Sequence, residues 1–226
     1  MENTIRHIGL IMDGNRRWAK KRGLPVVMGG HAGVKALENT LRAAKDFGVQ
    51  YVSVYAFSTE NWNRSAEEVS QLMGLFKLYA KLKLRELIKE GVRVRFAGAS
   101  DRVPAEVAEV LRDIEEKTKD NDVIQLIVCF NYGGRREITD ALNRLLKEGV
   151  TEITEADLCK RMYLPDVPDP DLLVRTSGEL RMSNFWLWEG AYSEYYFTDT
   201  LWPDFGKEEL KKAIDSYFER SRRYGK

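Results

Sequence analysis

Short apolar runs alternate with stretches of helical period along the whole chain, and this alternation limits the fold more than any other feature. Apolar runs fall at 8–12, 51–56, 92–97, 123–130 and 172–175, with another near 194–197. Helical patterns lie between them at about 32–47, 67–90, 105–119, 135–146 and 207–222. Strands and helices taking turns imply a central, mostly parallel sheet flanked by helices on both faces. No Gly/Ser linker, composition break or internal repeat divides the chain, so residues 1–226 are expected to form one α/β domain.

The chemistry should lie beyond the carboxyl ends of the strands, where open parallel sheets bind ligands. Three polar stretches fall there. In "MDGNRRW", after the first run, Gly14 lets the backbone turn tightly. Asn15 can cap the next helix, and Arg16 and Arg17 offer guanidinium forks to phosphate oxygens. Asp13 would repel a bare phosphate, so its presence suggests Mg²⁺ bridging carboxylate and substrate phosphates. Taken alone, this stretch is equally an Asx turn leading into a solvated basic helix. In "RTSGELRMSN", Arg175, Arg181 and Ser183 could clamp a second anion, although Glu179 offsets part of the charge. "FSTENWNR" interleaves Ser58, Glu60, Asn61 and Arg64 with Phe57 and Trp62, a mixture that suits an amphiphilic substrate or an ordinary loop with aromatic anchors.

Composition narrows the choice. With 36 basic and 35 acidic residues the net charge is +1, so a general nucleic-acid binder is not expected and any anion site must be local. Cys129 and Cys159 are too far apart to suggest a disulfide framework or a zinc site, and His7 and His31 are the only histidines. No apolar segment approaches the roughly 18 residues of a spanning helix. Asn3 and Arg6 do not fit a secretory signal, so a cytoplasmic protein is expected.

The helical stretch from Glu67 is apolar on two sides. Val69, Leu72, Met73, Phe76, Tyr79, Ala80 and Leu87 form a core stripe, and Leu75, Leu78 and Leu82 form a second. The second stripe suits deep burial, a dimer contact or the wall of a tunnel for a hydrocarbon tail, with Leu126 a candidate for its floor. The last helix carries one stripe, Leu210, Ala213, Ile214, Tyr217 and Phe218, with Arg220, Arg222 and Arg223 near its C-terminal end.

"HIGLIMDGNRRWAKKRG", "YAFSTENWNR", "NYGGRREI", "RTSGELRMSNFWLW" and "SEYYFTDTLWPDF" together resemble the cis-prenyltransferases, in order, from His7 to Gly225. The resemblance to this family, which includes undecaprenyl diphosphate synthase, implies a homodimeric α/β enzyme with a parallel sheet and a hydrophobic tunnel. It would add isopentenyl diphosphate repeatedly to an allylic diphosphate such as farnesyl diphosphate, forming Z double bonds. Its product would pass to the membrane, which makes a peripheral position at the inner face conceivable. By position, the resemblance makes Asp13 the Mg²⁺-associated carboxylate, and it places Gly14, Asn15, Arg16, Arg17 and Trp18 around the allylic diphosphate. Arg175, Arg181 and Ser183 would bind the diphosphate of isopentenyl diphosphate, with Glu194 at the metal. Ser58, Glu60, Asn61, Trp62, Arg64 and Glu68 would belong to a closing loop and the helix after it, Asn61 helping proton removal.

The departures lie in "GLPVVMGGHAG". Val26 and Gly30 stand where many relatives carry an arginine and a histidine, His31 comes one place late, and Ser177 replaces a common glycine. His31 or Arg16 is the candidate to supply the missing charge. A non-catalytic subunit of the same fold, a phosphohydrolase using Asp13 as nucleophile and a lipid-diphosphate binder are the alternatives. Asn15 in place of a second aspartate weighs against the phosphohydrolase.

Overall fold

A computed structural model describes residues 5–220. Six strands form one sheet: β1 (His7–Ile11), β2 (Tyr51–Ser58), β3 (Val92–Ala97), β4 (Ile124–Tyr132), β5 (Leu172–Arg175) and β6 (Glu194–Phe197). Their order is β3-β4-β2-β1-β5-β6, and every pairing is parallel. Seven α-helices accompany them among the described residues: α1 (Asn15–Lys21), α2 (Val26–Asp46), α3 (Ala66–Lys89), α4 (Ala105–Thr118), α5 (Gly134–Lys147), α6 (Glu155–Cys159) and α7 (Lys207–Glu219). The expected α/β architecture is therefore observed. The chain leaves β1 towards β2 and leaves β5 towards β6, so the order reverses between two neighbouring strands. The crevice at such a reversal is where these sheets bind ligands.

Both faces of the sheet are apolar. Ile8, Leu10, Val52, Val54, Leu126, Leu172 and Val174 point into one core with Leu41, Trp202 and Leu210. Ile11, Ile127, Cys129 and Leu173 point into the other with Tyr132, Phe185 and Trp186. Strands buried on both faces read as continuous apolar runs, which explains why they are visible in sequence. Asp171 accepts from the backbone N–H groups of Arg6 and His7, at 2.8 and 3.1 Å, and ties the entry of β5 to that of β1. At the edge strand β3, Val94 N–H donates to Thr118 Oγ1 (3.0 Å) and Phe96 N–H to a Glu115 carboxylate oxygen (2.9 Å). The outer rim of the sheet is thus filled by side chains of α4.

Helix bounds depart from the sequence reading in one informative place. α2 begins at Val26, six residues before the expected 32. Gly29, Gly30 and Gly33 argue against a helix there by propensity, but they are needed for packing. A Cβ on Gly29 would collide with the Asn15 carbonyl, one on Gly30 would meet Leu75 Cδ2 at 2.8 Å, and one on Gly33 would meet Asn15 Oδ1 at 2.5 Å. α3 starts as its sequence suggests, with Ser65 Oγ accepting from Glu68 N–H at 3.2 Å and Glu67 and Glu68 in the first turn. In α7, Leu210, Ala213 and Tyr217 are buried, while Phe218 is 41% exposed and lies off the packed face. Arg222 and Arg223 lie outside the described residues. No helix among those described is long and apolar enough to cross a membrane.

Candidate active site

Asp13 and Arg175 stand at the carboxyl ends of β1 and β5, one on each side of the crevice. Arg175 is 5% exposed, and its Nη2 lies 3.1 Å from Asp13 Oδ2. Its Nη1 donates to Ser183 Oγ at 2.7 Å and to the Arg181 carbonyl, while its buried Nε has no partner. Arg17 reaches Asp13 Oδ2 at 3.5 Å and Glu179 at 3.4 Å, and donates to the Ser177 carbonyl at 2.9 Å. Both guanidinium contacts fall on Oδ2, and Asp13 Oδ1 receives no hydrogen bond from the described residues. The loop itself is rigidly held. Asp13 N–H donates to Thr176 Oγ1 (3.0 Å), and Asp13 O accepts from Thr176 Oγ1 (2.6 Å) and Trp202 N–H (3.0 Å).

Asn15 does not cap α1. Gly14 takes the N-cap position at φ 111°, a left-handed conformation that favours glycine, with Leu201 and Ser177 packed against it. Asn15 is the first helical residue, and its side chain turns into the α2 glycines, leaving Oδ1 buried without a partner. Trp18 Nε1 donates to Asp204 at 2.7 Å, fastening α1 to the segment after β6.

The other two stretches join this centre. Asn184 Nδ2 donates to Glu60 at 2.8 Å, and Tyr55 Oη donates to the Ser183 carbonyl at 3.2 Å. "TENWN" forms a 3-10 turn, Thr59–Asn63, where Asn61 Oδ1 accepts from Ser58 N–H at 3.0 Å. Trp62 packs on Phe57 and donates to Asn131 at 2.7 Å. The three stretches expected at one sheet edge therefore do converge. Asn131, Asn184, Thr176 and Ser177 hold them together, and three of these four have positive φ. Sequence reasoning did not single out Asn131, Asn184 or Thr176 for the site. Residues in left-handed conformations cluster at such sites, yet only the turn-rich spelling "RTSGELRMSN" hints at it.

Behind the centre, an apolar cavity of about 410 Å³ runs between α2, α3 and the sheet. Arg16, Arg64, Asn15 and Met12 line its mouth; Leu41, Leu87, Val94, Ile114 and Leu126 line its far end. Leu126 is therefore on the cavity wall, as a floor residue would be. On α3 the roles of the two stripes are partly reversed. Leu72, Phe76, Tyr79, Ala80 and Leu87, read as core, line the cavity together with Leu75. Leu78 and Leu82 are exposed by 47% and 62% and do not line it.

Two predicted residues lie elsewhere. His31 bonds Tyr79 Oη through Nδ1 at 2.7 Å and is absent from the cavity lining that Val26 and Gly30 share. Arg16 is at the mouth, paired with Glu68 at 2.9 Å, and can supply the missing charge. Glu194 is level with Leu172 at the amino end of the sheet, where it pairs with Arg220 at 2.9 Å. Three strand residues, roughly 10 Å, separate that level from Arg175, so Glu194 and Asp13 of one chain do not share a cation. Arg181 is exposed and paired with Glu179.

A built anion grip that opens into an apolar channel defines an α/β protein for ligands with a charged head and a hydrocarbon tail. The sequence profile of the family described as "Putative undecaprenyl diphosphate synthase" matches residues 11–225. The chain is 51% identical over 224 residues to an isoprenyl transferase of Fusobacterium nucleatum, covering 99% of this chain and 97% of that one. It is 46% identical to a trans,polycis-polyprenyl diphosphate synthase of Thermobifida fusca described as (2Z,6E)-farnesyl diphosphate specific, covering 97% and 80%. The crystal structure of lavandulyl diphosphate synthase from Lavandula x intermedia in complex with dimethylallyl diphosphate superposes with a TM-score of 0.94 at 32% identity, covering all of both chains. The chain belongs to the undecaprenyl diphosphate synthase family of prenyltransferases.

Proposed function

We propose that the protein condenses isopentenyl diphosphate repeatedly onto an allylic diphosphate such as farnesyl diphosphate, giving a Z-polyprenyl diphosphate of the undecaprenyl kind. The observation that carries this reading is the Asp13–Arg175–Arg17 cluster at the mouth of an apolar cavity. The donor set fits Mg²⁺ shared with substrate. Asp13 keeps one carboxylate oxygen free of hydrogen bonds, and the described residues hold no cluster of three metal-binding side chains that would cage the ion alone. Asp13 would hold it, and when bound it would neutralise charge on the departing diphosphate. Arg16 and Arg17 grip the allylic diphosphate, stabilising the charge that builds as its C–O bond breaks. Arg175, Arg181 and Ser183 hold the second diphosphate so that its double bond meets the allylic carbon. Asn61, oriented by Ser58, steadies the closing turn with Glu60 and Trp62, and the released proton passes to a diphosphate oxygen. The tail lies along Leu75, Phe76 and Ala80 towards Leu126.

The active form is a homodimer, supported by Leu180, Leu187 and Tyr192, which are exposed by 76%, 40% and 80%. The enzyme works in the cytoplasm and releases its product to the inner face of the membrane. Incubation with labelled isopentenyl diphosphate, farnesyl diphosphate and Mg²⁺, followed by chromatography, should yield a ladder of polyprenyl products. Binding without incorporation would refute the enzyme and identify a lipid-diphosphate binder.

A further inference from the structure

The cavity has one weak wall. Gly30 brings α2 against Leu75 of α3 near the entrance, and the rest of the seam between the two helices is bridged by polar side chains. At the entrance Arg16 of α1 meets Glu68 of α3 (2.9 Å), and further in His31 of α2 meets Tyr79 of α3 (2.7 Å). Deeper still, Lys83 Nζ bridges Glu38 on α2 (2.8 Å) and Glu86 on its own helix (3.0 Å). Arg42 on α2 then pairs with Glu86 and with Glu90, the latter at 2.9 Å. Glu38 and Lys83 line the cavity itself, among Leu37, Leu41, Ala80 and Leu87. Glu38 stands twelve residues along α2 from Val26, roughly 18 Å at about 1.5 Å per residue. A tail growing inward from the phosphate grip therefore passes an apolar lining and then meets this cluster.

Charged residues along a helix usually form a solvated face. Here the pairs cross from one helix to the other, and two of the charged groups border an apolar void. Partly exposed ion pairs are weak and screened by salt, so such a seam opens and recloses readily, its charges turning out to water. The packed strands opposite have no comparable freedom.

We propose that Glu38, Arg42, Lys83, Glu86 and Glu90 form a latch that limits product length. This rests on the reading of the protein as a chain-elongating prenyltransferase. Closed, the latch confines the tail to the cavity. Open, it lets the tail run on between α2 and α3, and elongation continues. The test compares product ladders from the full-length wild type, the neutral double variant Glu38→Gln/Lys83→Met, and Lys77→Met. The last removes an ion pair of α3 with Glu106 (2.6 Å) away from the cavity. The double variant should shift the ladder by at least one isoprene unit towards longer products, and Lys77→Met should not. Raising ionic strength from about 0.1 to about 1 M, which shortens the screening length from roughly 10 to 3 Å, should lengthen wild-type products and leave the double variant's unchanged. An unchanged or shortened ladder in the double variant overturns the latch. So does a wild-type ladder indifferent to salt, an arm that stands even if the variant fails to fold. A wild type that makes no ladder at all would instead remove the proposed function, and the latch with it.

Discussion

The two faces of the sheet carry equally apolar strands and yet differ in kind. On one, Tyr132 and Trp186 approach at 5.2 Å, Tyr55 and Phe185 stack at 4.7 Å, and the rings fill the space. On the other, α2, α3 and the strands enclose a cavity of about 410 Å³. Interiors normally close to crystal-like density, so an empty apolar volume needs something to hold it open. The solid face also carries a buried polar chain. Trp186 Nε1 donates to Ser53 Oγ (2.8 Å), Ser53 Oγ lies 2.9 Å from His7 Nε2, and His7 Nδ1 lies 2.6 Å from the Pro168 carbonyl. That carbonyl can only accept, which puts a proton on Nδ1, and burial keeps the ring neutral, so Ser53 donates to Nε2. The lesson is that one face is built for stability and the other gives stability up for volume.

That contrast can be broken most sharply at Trp186. Trp186→Ala should lower unfolding free energy by about 3–5 kcal/mol, the range for deleting a buried aromatic, as read by urea denaturation. A loss below about 1 kcal/mol would mean the face is not solid. Asp13→Ala should do the reverse. It should keep the urea midpoint and cut turnover by roughly 10²–10³, as for loss of a key electrostatic group. Near-normal turnover would remove Asp13 from the chemistry.

Acid and base should probe the solid face. Burial holds His7 down at about 4, so the unfolded chain binds its proton first. Stability should fall as pH drops from about 6.5 towards 4, by up to about 1.4 kcal/mol per unit. Burial, with Glu137 beside it, pushes Glu189 up to about 9, so the folded chain keeps a proton that the unfolded chain releases. That effect opposes the His7 effect between about pH 4.5 and 6.5, so the net alkaline decline shows from about 6.5 towards 9, and Glu189→Gln should flatten it. Urea midpoints measured across this range that stay level would sink both assignments. The smallest effect belongs to the hollow face. Leu72→Ala borders space already empty, and should cost about 1 kcal/mol, below the roughly 1.5–3 kcal/mol for fully burying a leucine side chain.

The strands and most helix bounds could be read in sequence because periodicity is a local property: β3 and β5 fall on their expected residues. α2 was foreshortened because its three glycines signal a break by propensity, while their reason is contact with Asn15 and Leu75. The convergence of three loops could be read because strand ends in a parallel sheet share one edge. The resemblance put Glu194 with the metal, but the pairing of β6 with β5 places it at the other edge. A tunnel is one of several readings of the α3 stripes and is implied by the resemblance, but periodicity does not say which stripe lines it, because an apolar stripe spells a packed wall and a hollow one alike. The α2–α3 ion pairs escaped detection, joining residues more than forty positions apart.

The outer flank of β3 holds one more consequence. Thr118 and Glu115 occupy the places a further strand's carbonyls would take. A stray polypeptide seeking to lengthen the sheet there meets N–H donors already spoken for. Growth into ribbons from that side is foreclosed, and a concentrated solution of the enzyme has one fewer route to becoming a fibre.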